Sequence, residues 1–156
     1  MKSKCGQKMN KVVLDEYDFS DLAGLPVVVR DIRILRCAKC GEELMLGAET
    51  DRIMKQVALA VVNRPERLGA NEARFLRGHL GLTQKELAER MGLHKITVAA
   101  WESKKPISPQ HDHILRAMVL AKLMRKDSSD LLALEHVHTA KPRRAVRRLV
   151  GERVAR

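Results

Sequence analysis

Aromatic side chains are scarce: Tyr17, Phe19, Phe75 and Trp101 are all that the 156 residues contain. Any core must therefore be built from Leu, Val, Ile and Met. Cysteine is scarce too, with three in all, which argues against the disulfide framework of a small secreted protein. Histidine is missing from residues 1–70, since His79, His94, His111, His113, His136 and His138 are the full set. No apolar run approaches the roughly 18 residues that span a bilayer. Met1-Lys2-Ser3-Lys4 leads into no apolar segment of the kind a secretory signal carries. A cytoplasmic protein without a membrane partner is expected. No spacing places a nucleophile beside a base or pairs two carboxylates, so no enzyme is expected.

Negative charge is in short supply as well. Lys+Arg number 30 against 19 Asp+Glu, a formal net charge of +11. The excess is slight over residues 1–70 and larger over 71–124 and 125–156. A chain so biased gains sequence-independent affinity for polyanions by releasing their counterions.

What is present most clearly is a pair of short helices joined at a glycine, over residues 82–102. Thr83 followed by Glu86 is a capping box that starts the first helix. Leu87 and Met91, four apart, give that helix its buried stripe, and Ala88 lets a partner approach closely. Gly92 ends it where a left-handed residue is wanted. Leu93 can plug the corner, and Val98 and Trp101 turn the second helix's apolar side inward. Lys95, Ile96, Ala99 and Ala100 then point outward. This is the pattern of a helix-turn-helix, whose second helix enters the major groove of double-stranded DNA.

The segment resembles the repressor-type (XRE) helix-turn-helix family. A preceding helix spans Asn71 to Leu80, and the His113 to Met124 helix completes the unit. The resemblance implies an ion pair between Arg77 and Glu102, and a phosphate contact from Gln84 at the first turn of the scaffold helix. The expected DNA-facing set is Thr83, Gln84, His94, Lys95, Ile96, Thr97, Ala99, Ala100 and Lys104. Lys95 can donate to guanine O6 or N7, Thr97 can reach a phosphate or a base, and Ile96 and Ala99 can touch thymine methyls. Many relatives carry a long polar residue where this chain has Ala100, so direct readout is thin and DNA shape has a larger part.

The amino-terminal part reads differently. Val12 to Phe19 and Val27 to Leu35 read as strands separated by a turn at Gly24-Leu25-Pro26. They are bracketed by Lys4-Cys5-Gly6-Gln7-Lys8 and Cys37-Ala38-Lys39-Cys40-Gly41. The second bracket has the form of a zinc knuckle, and two such knuckles make a four-cysteine structural site. Here Cys5, Cys37 and Cys40 supply three ligands and Lys8 stands at the fourth position. Three readings stay open: zinc held with substitute donors, a metal-free ribbon, and a redox dithiol at Cys37 and Cys40. Thr50 to Val62 follows as a helix, ended before Pro65.

The order of these parts resembles the zinc-finger and helix-turn-helix antitoxins of the MqsA (YgiT) type, over about residues 4–124. That resemblance implies zinc, a homodimer formed by the helix-turn-helix domain on an operator palindrome, and a ribbon domain that neutralises a ribonuclease toxin. The fold expected is α+β. Residues 1–62 form a zinc-ribbon-like β domain with a trailing helix, 63–70 a linker, 71–124 the helical DNA-binding domain, and 125–156 a basic tail. Leu131 to His138 can extend a helix in that tail. The apolar face of Ile114, Leu115, Met118 and Val119 serves either the dimer or the chain's own core. Function is expected to be sequence-specific transcription regulation, repression of the chain's own operon included, with antitoxin as the alternative.

Overall fold

A computed structural model describes residues 1–103, 105–126 and 137–138. Strands β1 (Asn10–Asp18), β2 (Val28–Arg36) and β3 (Glu43–Leu44) form a small antiparallel sheet with β2 in the middle. Between β1 and β2 lies one turn of helix, α1 (Ser20–Ala23), which ends at Gly24 in the left-handed region. Helix α2 (Gly47–Asn63) follows, and then an all-helical unit: α3 (Ala70–Leu80), α4 (Gln84–Arg90), α5 (Lys95–Trp101) and α6 (Pro109–Lys126). The architecture is thus the α+β one that the residue patterns imply.

The sheet alternates inward and outward residues, but it changes phase halfway. Val27 and Val29 are buried on one side of Asp31, and Ile32 and Ile34 on the other. A strict two-residue period would have put Asp31 inside. Its φ of 54° turns the chain by one place, so the carboxylate stays out and the apolar residues stay in. Opposite, Val12 and Leu14 pack on the core before the change and Tyr17 and Phe19 after it.

Helix α2 is the centre of the molecule. Ile53, Val57, Ala58 and Val61 are buried along it, and they join Phe19, Val29 and Ile32 of the sheet side to Leu76, Leu87 and Leu115 of the helical side in one apolar cluster. Leu115 and Val119 are fully enclosed in that cluster, so they serve the chain's own core. Of the face considered for dimerisation, Ile114 remains exposed and Met118 is half-buried.

The segment after α2 is tied down by one arginine. Arg116 of α6 donates to the backbone oxygens of Val62 (2.7 Å), Arg64 (2.6 Å) and Glu66 (2.6 Å). Its Nε also donates to Asp112 at 2.8 Å, and Asp112 in turn accepts the Leu68 N–H at 2.8 Å.

One expectation for the tail is corrected. Val137–His138 is not helical but a two-residue strand, β4, antiparallel to Val28 and Val29 of β2. Strand β3 reaches only Leu35 and Arg36, so the far edge of β2 is free to accept it, and an open edge favours such pairing. Residues 131–136 and 139–156, where the rest of the tail reading falls, lie outside the described residues.

Candidate nucleic-acid interface and cysteine cluster

Helix α4 begins as its sequence requires. Thr83 Oγ1 accepts the Glu86 N–H at 3.2 Å, and Glu86 Oε2 accepts the Thr83 N–H at 2.7 Å. The Thr83 N–H and, second to it, the Thr83 hydroxyl hold the Glu86 carboxyl below its ordinary value, because both favour its charged form. The chain leaves α4 through Gly92 at φ +67°, a left-handed conformation that costs glycine little. His94 then takes the N-cap position of α5 with extended backbone and no side-chain cap bond.

The inner side of α5 is fixed by Val98 and Trp101, both buried, with Trp101 against the His111 ring at a centroid distance of 5.1 Å. Its outer side carries His94, Lys95 and Ile96, all exposed, and Thr97, Ala99 and Ala100, half-buried. Ile96 is 81 % exposed, the most uncovered large apolar side chain among the described residues. Lys104, expected to join this set, lies outside the described residues.

Glu102 is the hub that props this helix. It is buried, and Arg77 of α3 donates to it twice, at 2.5 and 3.1 Å. Gln84 Nε2 donates to the same carboxylate at 2.9 Å, and Arg77 also holds the Leu82 carbonyl at 2.7 Å. Arg74 adds a bond to the Glu102 backbone oxygen at 2.7 Å. Burial alone would raise the Glu102 pKa. The bonds from Arg77 and Gln84, with the charges of Arg77 and Arg74, outweigh it and hold the carboxyl below its usual range.

The pair implied for Arg77 and Glu102 is therefore present. Gln84 sits at the first residue of α4, with one amide hydrogen given to Glu102 and the second left to donate elsewhere. Arg74 was not among the expected residues. Its spacing of three from Arg77 puts both on one face of α3.

The other concentration of chemistry lies at the far edge of the sheet. The sulfurs of Cys5, Cys37 and Cys40 lie within 4.8 Å of one another, a cluster capable of coordinating a metal ion. Cys5 Sγ and Cys37 Sγ are 3.6 Å apart. Lys8, expected at the fourth position, is exposed, and its backbone bridges to Lys2. The fourth side chain at the thiols is Ser3, whose Oγ lies 3.1 Å from Cys5 Sγ.

The backbone shows why. Gly41 N–H donates to the Cys37 oxygen, and the Cys37 N–H to the Glu42 oxygen. In the first turn Gly6 N–H donates to the Ser3 oxygen, and the Ser3 N–H to the Gln7 oxygen. Ser3 thus stands where Cys37 stands, and Cys5 where Cys40 stands, in a turn one residue shorter.

The thiols are tuned apart. The Ser3 hydroxyl, backbone N–H groups of Cys40 and Lys39, and the Cys40 thiol stabilise the Cys37 thiolate against burial and bring it to about 6. At Cys40 the Glu42 backbone N–H lowers the value, but the Cys37 and Cys5 thiols and burial together push it upward.

Among the described residues no helix is long and apolar enough to cross a membrane. No curated protein matches the chain. Residues 74–111, from Arg74 in α3 to His111 in α6, match the helix-turn-helix family model, which makes this segment an XRE-type DNA-binding domain with a cysteine cluster on the sheet beside it.

Proposed function

We propose that the chain is a sequence-specific transcription regulator that represses its own operon by occupying an operator as a homodimer. The observation that carries this is the face of α5: Lys95 and Ile96 are exposed on a helix whose opposite side is locked by Trp101 and the Glu102 hub. Two copies place two such helices about one DNA turn apart, roughly 34 Å, in successive major grooves. His94, Lys95, Thr97, Ile96, Ala99 and Ala100 face the base edges. Thr83, the free amide hydrogen of Gln84 and Lys104 serve phosphates. Lys95 carries the main hydrogen-bonded readout, and the cytoplasm is the compartment where such a protein works.

The test is footprinting on the upstream region of the chain's own gene at fixed salt. A protected, roughly palindromic site is expected. Lys95→Glu should weaken it by about tenfold or more, the effect of losing one base contact worth 1–3 kcal/mol. Uniform protection of unrelated fragments, unchanged by that substitution, would refute the reading.

A second reading rests on the cysteine cluster beside the helix-turn-helix. The MqsA-type arrangement that this resembles implies an antitoxin whose sheet domain neutralises a ribonuclease toxin. Co-purification of a small ribonuclease encoded next to this gene, retained in Lys95→Glu, would establish it.

A further inference from the structure

The second cysteine turn supplies two thiols, and the first supplies one thiol and one hydroxyl from equivalent backbone places. We propose that Ser3 is the fourth ligand of a zinc site completed by Cys5, Cys37 and Cys40. This stands independently of the DNA-binding reading, since the cluster shares no side chain with α5.

The donor set fits the ion. A tetrahedral zinc–sulfur distance of about 2.3 Å separates two ligand sulfurs by about 3.8 Å, and Cys5 and Cys37 already stand 3.6 Å apart. Ser3 is buried, at 8 % exposure, and its hydroxyl donates to the Gln7 backbone oxygen at 3.2 Å, which leaves the lone pairs of the hydroxyl oxygen available to a cation. That oxygen points at the thiols.

Among the described residues no other side chain with a metal-binding atom joins the three thiols. Lys8 offers an exposed ammonium with no lone pair. Residues 1–70 contain no histidine. Glu42 is turned aside, its Oε2 accepting the Lys4 N–H at 2.6 Å and its Oε1 facing Lys4 Nζ at 3.6 Å.

The chemistry has a consequence. Three thiolates already give a bound Zn²⁺ complex one net negative charge, and a neutral hydroxyl adds none. The hydroxyl oxygen is a harder and weaker donor than thiolate. Affinity is therefore lower than at a four-thiolate site, and a single substitution should raise it.

The experiment is titration of the reduced full-length chain with Co²⁺, followed by displacement with Zn²⁺ against a chromophoric chelator. One equivalent of Co²⁺ should bind with the ligand-field spectrum of a tetrahedral three-sulfur, one-oxygen site. Ser3→Cys should move that spectrum to the four-thiolate form and tighten zinc by about tenfold or more, and Ser3→Ala should weaken it by about tenfold. Lys8→Cys should leave spectrum and affinity unchanged. Circular dichroism of each variant establishes that the sheet is retained. The proposal is overturned if the reduced chain takes up no stoichiometric metal, if Ser3→Cys keeps the parent spectrum, or if Lys8→Cys is the variant that acquires the four-thiolate form.

Discussion

Glu102 shows how much one residue decides. A buried carboxylate in the interior must be matched, and here Arg77, Gln84 and Arg74 do it from two other helices. Its folded pKa lies below the ordinary 4.5, so the unfolded chain takes up the proton first as pH falls. The stability this gives is complete above about pH 4.5 and is lost as pH drops through the folded value. Glu102→Gln should therefore cost roughly 3 kcal/mol at neutral pH, as expected for leaving a buried charge partner uncompensated, and flatten the acid limb of the melting profile. Thermal melts of both proteins from about pH 7 to 3 would test this. Parallel acid slopes would show that the hub is not what titrates. The pair itself was legible through the resemblance, because a glutamate follows the tryptophan of the second helix. Ser3 was not legible. Reading the first cysteine turn at the spacing of the second places the missing ligand at Lys8, and only the backbone bonds reveal a turn shortened by one residue.

At the scale of elements, the helical half was readable because each boundary carries its own local chemistry. The capping box at Thr83 and Glu86 starts α4, and Gly92 provides the turn. The sheet was readable in its strands but not in its phase. Nothing in the alternation of Val27 to Leu35 announces that Asp31 adopts a positive φ. Two glycines of the helix-turn-helix unit, Gly92 and Gly78, give opposite expectations. A Cβ added at either meets nothing within 4 Å, yet Gly92 has φ +67° and Gly78 is an exposed residue inside α3. Gly92→Ala should destabilise by about 1 kcal/mol or more, since an L residue is strained there. Gly78→Ala should stabilise by about 0.5–1 kcal/mol, because alanine restricts the unfolded chain and suits a helix interior. Urea midpoints at unchanged slope would measure both. Shifts of the same sign would mean that backbone conformation is not the governing factor at these positions.

Among the described residues the molecule holds two apolar clusters of very different size. The larger runs from Tyr17 and Phe19 through α2 to Trp101 and Val119, and Arg116 stitches the end of α2 to α6 across it. The smaller holds Met9, Leu35 and Cys37, with Leu44 against it, under the cysteine cluster. Such a division was beyond the sequence, because it depends on contacts between residues far apart, Arg116 with Val62 among them. It predicts that the sheet and the helix-turn-helix melt together, so Trp101 fluorescence and far-ultraviolet dichroism should give coincident transitions. Arg116→Met should lower both by about 3 kcal/mol, since Asp112 loses its buried cation. The thiol end should behave otherwise. Of its side chains only Cys37 belongs to an apolar cluster, the minor one, none shares a hydrogen bond with the Glu102 hub, and effects at sites without shared partners add independently to within about 0.5 kcal/mol. Cys40→Ala should therefore leave operator affinity within about twofold of the parent, while it abolishes stoichiometric metal uptake. Titration of one labelled operator with parent and variant, each with and without chelator, measures both quantities on the same samples. A loss of DNA binding that follows metal removal would show instead that the sheet edge controls the recognition helix through α2.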